Sequence, residues 1–286
     1  MSPITNPSSP VTGESDQSLP IPSSLKNGLQ IRHSELAEGV IVLTLHRPET
    51  RNAIDLPLAK ELHKVLQELK TASEEIRLLV LESCNENYFC SGGDLREVLK
   101  FSPTESSLFT QTMQDCCKTL HELPFPTVAL WGGEAIGGGA ELVLATDFRL
   151  PLSIHTKLLL SQAKWGVPGG WGGMERLQEL APSLNVRKCS WLFAKQTCLD
   201  YAKLLELGIL DEEAPAEPWQ IYERLIQWSQ NLMDLENTLW QGFLLRARIT
   251  IKDNLGAYDK AFFDQHWLNA HHTQKISQWF RAKTKD

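Results

Sequence analysis

Nothing in this 286-residue chain is patterned for metal or disulfide chemistry: its six cysteines, Cys84, Cys90, Cys116, Cys117, Cys189 and Cys198, include no C-x-x-C pair. A reducing compartment, the cytoplasm, is therefore expected. Long apolar runs are missing too, none approaching the roughly 18 residues that a membrane span requires, so a soluble protein is expected. Cations are in the minority, 28 Lys and Arg against 35 Asp and Glu, for a net charge of -7. General nucleic-acid binding needs a dense basic surface and is excluded on that ground, while an anionic ligand would need a local basic patch. Residues 1–27 have no apolar core and one cation, Lys26. They fit neither a signal nor a transit peptide, and their Ser/Pro-rich composition predicts a disordered tail over 1–28. No G-x-G-x-x-G or Walker-type pattern is present, which argues against a dinucleotide or P-loop site.

What is present is an alternation of strands and helices. With 42% apolar residues the chain can bury one large core. Val40–Leu45 is β-branched and apolar, and from Asp55, a good N-cap, Leu56, Ala59, Leu62, Val65, Leu66 and Leu69 recur at helical spacing. Arg77–Leu81 is a near-continuous apolar run, as parallel strands buried on both faces are. A helix is predicted over about Thr104–Glu122, ended by Pro124 and Pro126, then a strand at Thr127–Trp131. This order predicts an α/β core with parallel pairing and a ligand site beyond the carboxyl ends of the strands. We place the core at 29–195. From about Leu199 strand signals vanish, and 196–286 is predicted helical, with Trp219, Tyr222, Trp228, Trp240, Phe243, Phe262, Phe263, Trp267, Trp279 and Phe280 as core or subunit interface.

Two glycine loops end predicted strands. Gly137-Gly138-Gly139 opens a helix-like run at Ala140-Glu141, and Gly92-Gly93 precedes another from Asp94 to about Lys100. Free N–H groups at a helix start carry partial positive charge and suit a carbonyl oxygen that becomes an enolate oxygen. Either loop alone is equally a tight turn for close helix–sheet packing. A third cluster, Gly166 to Gly173, lacks a P-loop lysine.

The order of the motifs is more specific than any of them. Arg47-Pro48 with Asn52-Ala53-Ile54, then Phe89–Leu95, Gly133–Arg149, Pro168–Leu177 and Tyr201–Asp211 follow one another in a way that resembles the crotonase, or enoyl-CoA hydratase/isomerase, family over about residues 30–286. The resemblance implies a spiral of ββα units with a C-terminal helical trimerisation region, a homotrimer or dimer of trimers, and acyl-CoA ligands of the kind handled in fatty acid metabolism. No cofactor beyond the CoA of the substrate is implied, no metal, and no nucleic-acid or membrane partner. By the same match the N–H groups of Gly93 and Gly138 would form an oxyanion hole, and Ser91, Gly92, Gly93, Asp94, Leu95 and Arg96 would hold the CoA adenine and pantetheine. Arg51, Arg96 and Lys100 are candidates for its phosphates.

Hydratases of that family use two glutamates, one three residues after the second oxyanion glycine and one four before the glycine that opens the third cluster. The first is Glu141 here. The second is Gln162, or Lys164 if the count slips by two, so no carboxylate stands there. Among branches of the family the motifs resemble the ethylmalonyl-CoA decarboxylases most, through Gly137–Leu142, Asp147–Leu150 and Trp171-Gly172-Gly173. The implied activity is that of a lyase in which loss of carbon dioxide leaves an enolate and Glu141 supplies a proton to Cα. Hydration or isomerisation of an enoyl-CoA is the alternative, and a non-catalytic acyl-CoA-binding subunit is a third reading. Plainer roles stand beside these: Glu141 as a structural partner of Arg149 or Arg176, Gln162 and Lys164 as pocket lining, Asp94 as a helix cap, Cys90 as core filler, and His271-His272 as an exposed helix face rather than metal ligands.

Overall fold

A computed structural model describes residues 27–34, 38–72, 76–233, 267 and 270–283. The expected tail lies almost wholly outside the described residues, as do Trp240, Phe243, Phe262 and Phe263. Two sheets organise the core. The larger runs β1 (Leu29–His33), β2 (Val40–Leu45), β3 (Leu78–Ser83), β5 (Thr127–Trp131) and β7 (Phe148–Pro151) in that order. All its pairings are parallel except the β1–β2 hairpin. The smaller runs β4 (Tyr88–Cys90), β6 (Glu134–Ile136), β8 (Lys157–Leu159) and β9 (Cys198–Leu199), closing on an antiparallel β8–β9 pair. Each turn of the chain gives one long strand to the first sheet, one short strand to the second and then a helical segment: β3–β4, β5–β6, β7–β8. This is the spiral of ββα units that the sequence implied.

The helices follow from periodic apolar faces and firm caps. In α1 (Leu56–Thr71) the Asp55 carboxylate accepts from Leu58 N, and Leu58, Leu62, Leu66 and Leu69 are fully buried. After the short α2 (Leu95–Val98), α3 (Pro103–Glu122) starts at a capping box in which Ser102 and Glu105 bond reciprocally. Its Phe109, Met113, Cys116 and Leu120 join α1 in one core. Burial of each such side chain contributes about 1.5–3 kcal/mol. Then come α4 (Gly138–Leu144), α5 (Gly173–Leu180), α6 (Val186–Ala194), α7 (Tyr201–Glu206), α8 (Gln220–Met233) and α9 (Ala270–Lys283). Ile221 and Leu225 of α8 are buried against Val40, Val80, Val128 and Leu150 on the outer face of the larger sheet. No described helix is long and apolar enough to cross a membrane.

Two arginines tie the spiral together. Arg149 on β7 is fully buried; it donates to the carbonyls of Ile209 at 2.7 Å, Thr146 at 2.6 Å and Asp147 at 3.0 Å, and to Asp211 Oδ2 at 3.0 Å. Arg47 bridges Ala53 O at 2.6 Å, Asp55 at 3.0 Å and Asp94 at 3.5 Å. Neighbouring Asn52, held at φ +56°, donates to Phe89 O at 2.9 Å. The Arg47-to-Ile54 motif thus braces the strand that carries the first glycine loop.

Candidate active site

β4 and β6 are parallel neighbours, so the loops that leave their carboxyl ends leave side by side. The loops touch backbone to backbone. A methyl group on Gly92, which sits at φ +88°, would lie 3.0 Å from Ile136 O and 3.1 Å from Gly138 N. Only glycine combines that dihedral with that approach. Ile54 N donates to Gly92 O and Asp94 N to Ile54 O, both at 2.8 Å, which fixes the peptides on either side of Gly93. No described residue accepts from the N–H of Gly93 or of Gly138, the first residue of α4. Both residues line a cavity of about 640 Å³.

The same cavity is lined by Gly93, Gly138 and Glu141, expected to be catalytic, and by every residue expected to bind substrate apart from the phosphate candidate Lys100. Ser91, Gly92, Asp94, Leu95 and Arg96 form one side; Glu141 and Gln162 form another. Asp94 also caps α2 by accepting from Arg96 N at 3.2 Å, the plainer role foreseen for it. Of the cations considered for phosphates, Arg51 and Arg96 line the cavity, with Arg51 bound to Glu134 at 2.6 Å and Arg96 lying 5.6 Å over the Phe280 ring. Lys100 does not line it and bonds Glu97 at 2.7 Å.

Glu141 is buried, and its carboxylate is fully engaged. Oε1 accepts from Gln162 Nε2 at 3.0 Å and from Gly170 N at 3.2 Å; Oε2 accepts from Trp171 N at 2.8 Å and Gly173 N at 2.9 Å. That fills the roughly four lone-pair positions of a carboxylate. The arginine pairing considered for Glu141 is corrected here: Arg149 is taken by Asp211 and Arg176 bonds Glu179 at 3.2 Å. The third glycine cluster supplies backbone donors in their place. Burial raises the Glu141 pKa above the usual carboxylate range, outweighing the hydrogen bonds from Gly173, Gln162, Trp171 and Gly170 that pull it down. Gln162, in a 3-10 turn over Gln162–Trp165, meets Glu141, whereas the Lys164 ammonium lies 5.1 Å over the Trp165 ring.

Aromatic walls are what sequence reasoning missed. Trp171 presses on Gly138 so closely that a methyl there would come within 2.4 Å of its ring. Phe109 makes an edge contact with Trp171 at 6.0 Å and stacks on Trp267 at 6.2 Å. Trp267, Trp279 and Phe280 line the cavity, where only core or interface was expected of them. The one available signal was Trp279-Phe280, one turn beyond Ile276, in the C-terminal helix. Cys90 is inert filler, as expected: buried, its Sγ donating to Asn52 O at 3.0 Å, its pKa pushed up to about 12 by burial. The side chains of His271 and His272 lie outside the described ones.

The family described as "Enoyl-CoA hydratase/isomerase" matches residues 35–265. An enoyl-CoA isomerase/hydratase, fer4, of Mycosarcoma maydis is 34% identical over 184 residues, 62% of this chain and 66% of that protein. An ethylmalonyl-CoA decarboxylase of Xenopus tropicalis is 33% identical over 179 residues, 62% of this chain and 58% of that protein. The chain spans about half to two thirds of the length of the curated relatives it matches, several of which are named as mitochondrial. Among solved structures, an enoyl-CoA hydratase from Bacillus halodurans aligns with a TM-score of 0.76 at 19% identity, covering 88% of this chain and all of that one. At that identity the likeness is one of fold.

Proposed function

The chain belongs to the enoyl-CoA hydratase/isomerase family, and on that premise we propose that it binds an acyl-CoA thioester and decarboxylates a short malonyl-type CoA through an enolate. The observation that carries this reading is Gln162, which the family resemblance puts at the second acid/base position, hydrogen-bonded to Glu141. Hydration needs a group to activate water and another to protonate Cα. Decarboxylation needs neither base nor activated water. The bond from Cα to the substrate carboxylate breaks, carbon dioxide leaves, and the electron pair moves through Cα onto the thioester oxygen. The N–H groups of Gly93 and Gly138 receive that charge; two such preorganised donors stabilise it where water is excluded. Glu141, once it carries a proton, gives that proton to Cα and ends as the carboxylate with four neutral donors around it.

Hydration or isomerisation of an enoyl-CoA is the second reading, supported by the name of the Mycosarcoma maydis relative. For either activity the protein works as a homotrimer or dimer of trimers, with 196–286 as the assembling region and a reducing compartment, the cytoplasm or the mitochondrion, as its place. The test offers methylmalonyl-CoA, ethylmalonyl-CoA and crotonyl-CoA separately. Carbon dioxide from the first two with an unchanged enoyl chromophore is the expected result. Loss of the chromophore alone would replace the reading with hydration, and tight binding without turnover of any of the three would leave an acyl-CoA-binding subunit.

A further inference from the structure

Two polar atoms on the cavity wall lack partners among the described residues. Gln162 is 5% exposed, and while its Nε2 is committed to Glu141, its Oε1 is buried with no hydrogen bond. Ser161 Oγ, next in sequence, is buried without a partner as well; it stands 3.2 Å from where a methyl on Gly137 would be, beside the second glycine loop. Both residues line the cavity. An unsatisfied buried amide oxygen is destabilising, so the arrangement marks a place where a ligand completes the bonding.

The acceptor bonds on Glu141 are unequal. Oε1 holds the two longer ones, to Gln162 and Gly170, and Oε2 the two shorter, to Trp171 and Gly173. A proton on Oε1, the oxygen that faces Gln162, disturbs only the longer pair. Once Oε1 carries O–H, the Gln162 amide satisfies it only by turning over, so that its oxygen accepts from Glu141 and its NH₂ points where the unpartnered oxygen had been.

We propose that Ser161 and Gln162 form a subsite for a carboxylate borne on the acyl group, and that its occupation turns the Gln162 amide and makes Glu141 take up a proton. The subsite is neutral. The Ser161 hydroxyl and the turned Gln162 NH₂ donate to the carboxylate without a fixed positive charge that would oppose its departure as carbon dioxide. Gln162 is a positioning residue: it reports to Glu141 that a carboxylate is present, and the proton enters from solvent only then. After carbon dioxide leaves and Glu141 protonates Cα, the amide returns to the orientation in which Nε2 donates to the carboxylate. The ionisable groups on the elements packed around Glu141 are Tyr88 and Cys90 on β4, Glu134 on β6, Lys164 in the 3-10 turn and Glu175, Arg176 and Glu179 on α5, and from α3 the Cys117 thiol feels the Glu141 charge. Glu134 is bound to Arg51 and Lys157, and Arg176 to Glu179; the four donors on the Glu141 carboxylate are all neutral.

This inference rests on the assignment of Glu141 as proton donor, and its test separates the two. Full-length protein is titrated calorimetrically with 2-sulfopropionyl-CoA, whose sulfonate carries the charge but cannot leave, and with propionyl-CoA, in two buffers of different ionisation enthalpy. About one proton is taken up with the sulfonate and none with propionyl-CoA. Gln162→Met abolishes the uptake and lowers sulfonate affinity about tenfold or more, the value of one hydrogen bond to an ionised group; Ser161→Ala lowers that affinity in the same direction, and Gln162→Glu reverses the preference. Equal affinity for the two ligands with no proton uptake by the unmodified protein overturns the subsite, even where carbon dioxide is released from methylmalonyl-CoA. Proton uptake with the sulfonate, in a protein that decarboxylates nothing, upholds the subsite and removes the decarboxylase reading instead.

Discussion

Among the described residues the N–H groups of Gly93 and Gly138, which line the cavity, have no acceptor, whereas Gly170 and Gly173, which do not line it, give theirs to Glu141. The first pair can serve a charge that appears only during a reaction. The second pair serves a charge that is already in the protein. A glycine-rich loop is therefore not itself a signal of catalysis, and what decides its use is whether a carboxylate of the chain reaches it. Glu141, one turn into α4, reaches the third loop and leaves the second one open.

The contrast can be broken one loop at a time. Gly138→Ala drives a methyl group into the Trp171 ring at 2.4 Å and displaces a proposed oxyanion donor, so turnover should fall about 10²–10³-fold; steady-state kinetics check this. Glu141→Leu should leave the N–H groups of Gly170, Trp171 and Gly173 buried and unpaired. At about 1–3 kcal/mol each, urea unfolding should show a loss of roughly 3 kcal/mol or more, and Glu141→Gln should lose less stability while turnover drops at least about a hundredfold. Gly172→Ala is the counterpart in the third loop. Gly172 sits at φ +94° with nothing within 4 Å of an added methyl, so backbone strain of about 1–2 kcal/mol should lower the melting temperature and leave kcat near its original value.

Smaller effects follow from ionisation. Because burial raises the Glu141 pKa, the folded state holds this proton at pH values where the unfolded chain has released it. Its contribution to stability is complete below the unfolded value of 4.5 and declines as pH rises through the folded value. Stability measured across that window should fall less steeply in Glu141→Gln. Least of all, thiol labelling at pH 8 should modify exposed Cys198 and leave buried Cys90, with its pKa near 12, untouched.

Much of the scaffold was legible because it is locally encoded. The apolar spacing of Leu58, Leu62, Leu66 and Leu69 and the two-sided burial of Leu78–Leu81 need no distant partner to be read, and they gave α1 and β3 nearly to the residue. The three-residue strands β4, β6 and β8 are too short to show a period, and they emerge only from their pairing. Partners far apart in sequence were hidden for the same reason. Arg149 meets Asp211 across 62 residues, and Glu141 meets Gln162, Gly170, Trp171 and Gly173 at separations of 21 to 32. Motif order identified Glu141 and Gln162 as important positions; it could not reveal that one is bonded to the other, nor that Trp267, Trp279 and Phe280 return to wall the cavity.

The most direct test of an enolate held by Gly93 and Gly138 and quenched by Glu141 is to run methylmalonyl-CoA turnover in deuterium oxide and read the product by proton NMR. The account predicts carbon dioxide release with one deuterium at Cα of propionyl-CoA, placed in a single stereochemical position, and loss of that stereochemical control in Glu141→Gln. Randomly placed deuterium from the unmodified protein, or no carbon dioxide at all, would contradict it.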